Sequence, residues 1–344
     1  MNQPSIKRST IADIAAKAGV SLPTVSRVLH HHPDVAPETR LRVEQAIQES
    51  GFVRSRVRSS LRKVSSGIVD MIVPDFTNLY SVEIVRGVEE VLGPTNLRLA
   101  LSLTGESFQF EQSWLTKVLG GTTDGAIMVL AHGQSQHLDT LRCNQIPFVV
   151  VDHRGELGFD VPSVGATNWF GGCTAVEYLI SLGHRRVAVI SGPTAHRCSR
   201  DRLAGYRAAL EEAGIPIDPR LIRPGAFTQL SGYEQTCALL DLAEPPTAIF
   251  AGNDAQAMGV YSALHARGLS IPTDMSVVGF DDVSIAELVT PALTTVRQPL
   301  AEMGRTAMRM LLRLISKEPL DSMRVELTTN LIVRDSCAPP TMPG

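Results

Sequence analysis

Long apolar stretches are absent from this chain of 344 residues. None approaches the ~18 apolar residues of a membrane-spanning helix. The N-terminus, MNQPSIKRST, lacks the apolar core of a secretory signal, so the expectation is a cytoplasmic protein with no membrane contact. Cysteine is scarce. Cys143, Cys173, Cys198, Cys237 and Cys337 form neither a CxxC pair nor a zinc-ligand spacing, a pattern of reduced thiols. The signatures of catalysis are missing too: there is no GxSxG elbow, no HExxH, no P-loop GxxxxGK(S/T) and no dinucleotide-binding glycine fingerprint. These absences point away from an enzyme, a metalloprotein and a disulfide-stapled domain. No catalytic residue, metal site or cofactor is expected.

Charge is present but unevenly spread. The net charge is −3, yet residues 1–65 hold 11 Lys/Arg against 5 Asp/Glu, leaving 21 against 30 for the rest. A basic head on an acidic body suits a nucleic-acid-binding domain joined to a different module.

Within that head, Thr10–Leu29 (TIADIAAKAGVSLPTVSRVL) reads as two short helices and a tight turn. Thr10 can cap the first helix with Asp13 as the partner of a capping box. Ile11, Ile14, Ala15 and Ala18 share one face. Gly19 stops the helix where a positive φ is needed. Ser21 can cap the second helix, with Pro23 in its first turn. Val25, Val28 and Leu29 turn inward, leaving Leu22, Pro23, Thr24, Ser26 and Arg27 outward. This is a helix-turn-helix, whose second helix enters the DNA major groove. The following HHHPDVAP has no Cys or carboxylate ligand at zinc spacing and reads as a polar loop beside DNA. A third helix is expected from Pro37 to Ser50, with Leu41, Val43, Ala46 and Ile47 on its buried side.

ADIAAKAGVSLPTVSRVL and the later VAPETRLRVEQAIQESGF closely resemble the start of the lactose-repressor (LacI/GalR) family of transcription regulators, and the resemblance continues almost to the C-terminus. It implies a head over 1–54, a hinge helix over 55–66 that orders on the operator, and an effector-binding core over 67–344. It implies DNA contacts from Thr10, Ser21, Leu22, Pro23, Thr24, Ser26, Arg27 and His30, and from Ser55, Arg56, Arg58 and Leu61 of the basic hinge FVRSRVRSSLRKVSS. Arg27 matches a base-reading position, and Leu22 and Pro23 the two positions that set operator specificity. Leu61 matches a leucine that wedges into the minor groove. The sequence departs from the family at Arg54, where a proline often precedes the hinge.

From Gly67 onward apolar strand candidates alternate with patterned helices. The strands are Ile68–Val73, Leu97–Leu103, Ala126–Leu130, Phe148–Val151, Val187–Ile190, Ala248–Ala251 and Ser276–Gly279; the helices include Val82–Leu92, Gly171–Leu182, Arg202–Ala213 and Ala255–Arg267. This rhythm predicts parallel sheets covered by helices. The fold class expected is α/β with an all-α N-terminal domain. The resemblance implies a two-lobed, periplasmic-binding-protein-like core: a first lobe near 67–166 and 295–325, a second near 167–290 and 326–344, with crossings near 165–168, 290–296 and 325–330.

Ligands of open α/β sheets bind beyond the carboxyl ends of the strands. Those ends are polar here: Asp152 in VVVDHRG, Asn168 and Trp169 in VGATNWFGG, Arg200 and Arg202 in HRCSRDRLAGY, Asn253 and Asp254 in AGNDAQ, Asp281 and Asp282 in GFDD. Asp254 and Asp282 read mainly as helix caps. Planar polar groups with aromatic faces suit a sugar's vicinal hydroxyls and ring face. The resemblance implies effector contacts at Arg202, Asn253 and Asp281, an aromatic stack at Phe227 and a further cleft position at Tyr80; Trp169 and Asp152 complete the candidate set. The expected protein is a repressor that is a homodimer on a pseudopalindromic operator and is controlled by a small carbohydrate. Three alternatives stay open: a purine or phosphorylated effector with Arg200 as anionic contact, a transport-type sugar-binding protein, and a sugar enzyme with a DNA-binding head. SCAPPTMPG, after Arg334, contains no leucine heptad for a tetramerising tail.

Overall fold

The computed structural model describes residues 11–29, 34–50, 65–74, 79–103, 114–115, 118–132 and 136–341. Two compact units result, Met1–Val64 with Ser113–Thr122, and Ser65–Gln112 with Thr123–Gly344.

The first unit carries α1 (Ile11–Ala18), α2 (Leu22–Leu29) and α3 (Pro37–Ser50). Ile14, Ala15, Ala18, Val25, Val28, Val35, Val43 and Ala46 form its core. Gly19 takes φ +64 at the end of α1, and Ser21 Oγ accepts from Thr24 N at 3.3 Å at the start of α2. Both turn signals therefore act as the sequence indicates. Leu41 does not: it is 67% exposed. It lies two residues from Val43, on the opposite side of the helix, so the two cannot share a buried stripe. Thr10 lies outside the described residues.

The second unit holds two six-stranded sheets. Along the chain come β1 (Ile68–Val73), α4 (Leu79–Leu92), β2 (Arg98–Leu103), β3 (Gly125–His132), α5 (Gln136–Cys143), β4 (Phe148–Arg154) and β5 (Ser163–Ala166). Then follow α6 (Asn168–Ser181), β6 (Val187–Ser191), α7 (Arg197–Glu212), β7 (Ile222–Pro224), α8 (Gln229–Leu240), β8 (Ala248–Ala251), α9 (Asp254–Ala266), β9 (Ser276–Asp281) and α10 (Ile285–Leu288). The chain closes with β10 (Thr294–Arg297), α11 (Leu300–Ile315), β11 (Arg324–Leu327) and β12 (Asn330–Ile332). The first sheet runs β11-β5-β4-β3-β1-β2 and the second β12-β10-β9-β8-β6-β7. The first is parallel throughout. In the second, β12 pairs antiparallel with β10, so that sheet is not wholly parallel as the sequence suggests.

Central strands are buried on both faces, which is why they read as unbroken apolar runs: β8 (AIFA) and β9 (SVVGFD) are buried at every residue. Helices approach closely over glycine. A Cβ on Gly205 of α7 would strike the Trp169 carbonyl and the Cys173 amide of α6.

The chain passes between the sheets after β5, after β10 and between β11 and β12. The second passage lies later than its expected 290–296. Thr294–Arg297 is a strand of the second sheet, registered on β9, with Thr294, Thr295 and Val296 buried there, so the first lobe resumes only at Gln298. β-branched residues made this a strand where the sequence suggested a connection. Among the described residues, no helix is long and apolar enough to cross a membrane.

Candidate functional site

A cavity lies between the two sheets, lined by Tyr80, Leu130, Asp152, Cys198, Arg202, Phe227, Asn253 and Asp281. Strand ends of both lobes supply it. Leu130 and Asp152 stand on β3 and β4, Tyr80 in the first turn of α4, and Asp281 ends β9. From the second lobe come Cys198 and Arg202 on α7, Asn253 before α9 and Phe227 before α8. Leu130, Asp152 and Asp281 take φ of +55, +47 and +114. Left-handed backbone at non-glycine residues costs of order 1–3 kcal/mol each and persists where the surroundings impose it. Here it marks three wall positions of one cavity.

Arg202 is the hub. It is 4% exposed, its Nε donates to Asn168 Oδ1 at 2.8 Å and its Nη1 to the Gly252 carbonyl at 2.5 Å. Nη1 also lies 3.7 Å from Asp281 Oδ1, and the guanidinium sits 3.7 Å over the Phe280 ring centroid. Asp281 in turn accepts from Gln298 Nε2 at 2.7 Å. Asn168 and Gln298 stand at the first and second passages between the lobes, so Arg202 and Asp281 each hold one passage. Thr167 Oγ1 meets Thr329 Oγ1 at 3.0 Å and joins the first passage to the third.

Across the cavity Tyr80 donates its hydroxyl to Asp152 Oδ2 at 2.5 Å. Burial pushes the Tyr80 phenol well above its usual range, with the Asp152 charge adding to the shift. Burial also raises Asp152, although the Tyr80 hydrogen bond and Arg202 oppose it. Asp281 is raised to about 6, burial again outweighing the pull of Arg202 and Gln298. Two desolvated carboxylates against one already engaged guanidinium make a wall that accepts hydrogen bonds and repels anions. Asn253 uses its Oδ1 to cap α9, accepting from Gln256 N at 2.9 Å, while its Nδ2 lies 3.5 Å from the Phe227 carbonyl.

Six of the seven sequence candidates thus meet in one cavity. Trp169 does not line it: the indole is 40% exposed and packs edge-on against Phe170, with ring centroids 5.0 Å apart. Arg200 is also outside, donating to the Thr194 and Ala195 carbonyls. Asp254 and Asp282 are not caps. The cap of α9 is Asn253, which frees Asp254 to accept from Thr295 Oγ1 at 2.6 Å and Val283 N at 2.9 Å. Asp282 pairs with Arg297 at 2.5 Å and Arg334 at 2.7 Å. Leu130 and Cys198 escaped sequence reading, one inside an apolar strand and the other a lone thiol with no spacing signal.

In the first unit, Leu22 is 51% exposed, Ser21, Pro23 and Arg27 are exposed, and Thr24 and Ser26 are half-buried, all on or next to α2. His30, Ser55, Arg56, Arg58 and Leu61, like Thr10, lie outside the described residues.

Residues 10–55 match the family of bacterial regulatory proteins, lacI family, and residues 176–337 the periplasmic binding protein-like domain. Catabolite control protein A of Priestia megaterium is 34% identical over 328 residues, covering 95% of this chain and 98% of that protein. A transcriptional regulator CelR–cellobiose complex aligns at TM-score 0.76 and 33% identity over 96% of this chain and 100% of its own. The lac repressor dimer bound to operator and the anti-inducer ONPF aligns at 0.70 and 27% identity, with the same two coverages, 96% and 100%.

Proposed function

The chain belongs to the lacI family of bacterial regulatory proteins, and we propose that it is a repressor whose operator affinity is set by a small neutral carbohydrate held between the lobes. It is a DNA-binding regulator of transcription. The observation that carries the effector class is the wall chemistry. Asp152 and Asp281 flank one committed guanidinium, so the cavity favours a ligand that donates hydrogen bonds and disfavours a phosphate. Phe227 supplies an apolar face. The cellobiose in the CelR complex supports the same class.

On this reading Arg27 reads bases from α2, while Leu22 and Pro23, which offer no side-chain donor, make apolar contacts such as to a thymine methyl. Residues 55–66 add minor-groove and phosphate contacts. The protein acts as a cytoplasmic homodimer on a pseudopalindromic operator, as two-fold symmetry requires; the lac repressor structure, a dimer on operator, supports this. Effector changes DNA affinity only as far as it prefers one lobe arrangement. Arg202 and Asp281 hold Asn168 and Gln298 at two of the passages, so a ligand that engages them together with a first-lobe wall residue spans the junction between the lobes.

The test is fluorescence anisotropy of the full chain on its own upstream DNA, titrated with a panel of mono- and oligosaccharides that includes cellobiose. Release by one sugar identifies an inducer and supports the reading. Tightening by one keeps the sugar assignment but makes the ligand a corepressor. A tight, sequence-specific complex that no sugar shifts, and that a purine or phosphorylated compound does, overturns the carbohydrate assignment.

A further inference from the structure

The chain enters the core through a clamp built on one carboxylate. Ser65 Oγ donates to Asp124 Oδ2 at 2.5 Å, Gly67 N to the same oxygen at 2.9 Å, and Ser66 N to Oδ1 at 2.9 Å. Asp124 N and Thr123 Oγ1 both donate to the Ile68 carbonyl, at 2.8 and 3.1 Å. Three consecutive residues are thereby fixed immediately before β1. Burial works to raise the Asp124 pKa, but the hydrogen bonds from Ser65, Ser66 and Gly67 outweigh it and hold the carboxyl below its usual range. The clamp is therefore intact at neutral pH.

Asp124 also stands immediately before β3, a central strand bonded to β1 and β4. Towards the other end of β3 stands Leu130, a wall of the cavity. One strand, rising ~3.3 Å per residue, thus carries the clamp near one end and the cavity wall near the other. A close-packed central strand moves as a rigid piece with its lobe, so whatever turns the first lobe turns the clamp.

We propose that Asp124 is a positioning residue for operator binding: it fixes the point and direction from which the DNA-contacting segment 55–64 leaves the core. The proposal rests on the reading of the chain as an operator-binding regulator. With the clamp in place residues 65–67 are ordered before DNA arrives. Without it they must be ordered on each binding event, at a cost of roughly tenfold in affinity per residue fixed. Contacts made by α2 do not depend on it.

Full-length Asp124→Ala, Asp124→Asn and Ser65→Ala test this by anisotropy on a labelled duplex from the protein's own upstream DNA and on a random-sequence duplex of equal length, with thermal unfolding of the same samples. Asp124→Ala is expected to weaken the upstream complex at least about tenfold and to leave random-duplex affinity within about twofold. Asp124→Asn, which keeps one acceptor oxygen, should fall between it and the parent. Ser65→Ala, an exposed change that leaves the fold alone, should lose roughly threefold on the upstream duplex. Equal losses on both duplexes, or upstream affinity unchanged in Asp124→Ala and Ser65→Ala, would overturn the assignment. If the parent itself shows no preference for the upstream duplex, the regulator reading fails, and this one with it.

Discussion

Replacing Asp281 by asparagine is expected to stabilise the core at neutral pH while it weakens effector binding. The Asp281 carboxyl is 5% exposed and raised from 3.8 to about 6, burial being the larger cause and Arg202 and Gln298 pulling the other way. Between those values the folded chain holds a proton that the unfolded chain has lost. The stability that goes with the protonated form is full below 3.8 and is lost as pH rises through about 6. A shift of roughly two units corresponds to about 3 kcal/mol at most. Asparagine reproduces the neutral carboxyl in shape, can still accept from Gln298 Nε2, and tolerates positive φ about as well as aspartate. Asp254 is pushed upward first by burial and then by the Asp281 charge, so losing that charge relieves it in the same direction. The variant should gain about 1–3 kcal/mol near pH 7.5 and almost nothing near pH 4. Urea unfolding followed by far-UV circular dichroism across this range measures both the gain and its pH dependence. Effector affinity should fall roughly 10- to 100-fold, because a charge-assisted acceptor is lost. A variant no more stable than its parent near pH 7.5, or one with the same advantage at both ends of the range, refutes the reasoning.

Arg202→Met, which keeps the stem but leaves Asp281 without its counter-charge and Asn168 Oδ1 and the Gly252 carbonyl without their donor, should lower stability by about 3–5 kcal/mol and abolish any sugar effect on DNA affinity; urea unfolding and anisotropy read the two. Arg27→Ala should cut the preference for upstream over random DNA by about 1–3 kcal/mol per half-site without changing the unfolding midpoint of the core, and a full preference in that variant would remove Arg27 from base reading. Gly205→Ala places a methyl against the α6 backbone and should cost about 1–3 kcal/mol in thermal or urea unfolding.

Much of this fold was legible because its strands are buried on both faces and announce themselves as apolar runs. Ile68–Val73 and Ala248–Ala251 coincide with the observed strands. What escaped has physical causes. Thr294–Arg297 hides as a strand because two threonines lower its apparent hydrophobicity, although both are fully buried. Leu41 looks like core because side-chain type says nothing about helical phase, whereas its spacing from Val43 does. Asn253 and Asp254 are adjacent potential caps, and only backbone geometry decides that the first caps while the second ties β10 and the Val283 amide together. The cavity shows the same division. Polar residues after strand ends pick out Asp152, Asn253 and Asp281, but aromatic character is a poor guide where an indole such as Trp169 can find another partner. Cys198 and Leu130 offer no signal, since the positive φ that aims Leu130 is a tertiary constraint.

The division of the cavity between lobes limits which ligands can regulate. Tyr80, Leu130 and Asp152 belong to the first lobe; Cys198, Arg202, Phe227, Asn253 and Asp281 belong to the second. The lobes also meet directly, Gly155 N donating to the Ala195 carbonyl at 3.0 Å and Arg154 bridging His196. A molecule that satisfies only Arg202 and Asp281 binds equally well whichever way the first lobe stands, and such a ligand shifts nothing however tight it is. One that engages a first-lobe wall residue such as Asp152 together with Asp281 distinguishes a closed arrangement from an open one. On the proposed carbohydrate reading, closure would place both desolvated carboxylates against the ligand, whose hydroxyls would recover there the hydrogen bonds that burial has removed. The coupling is then bounded by what one lobe's share of those bonds contributes, about 1–3 kcal/mol, or roughly 5- to 150-fold in operator affinity. On that reading, regulation of this size needs a ligand long enough to reach wall residues of both lobes.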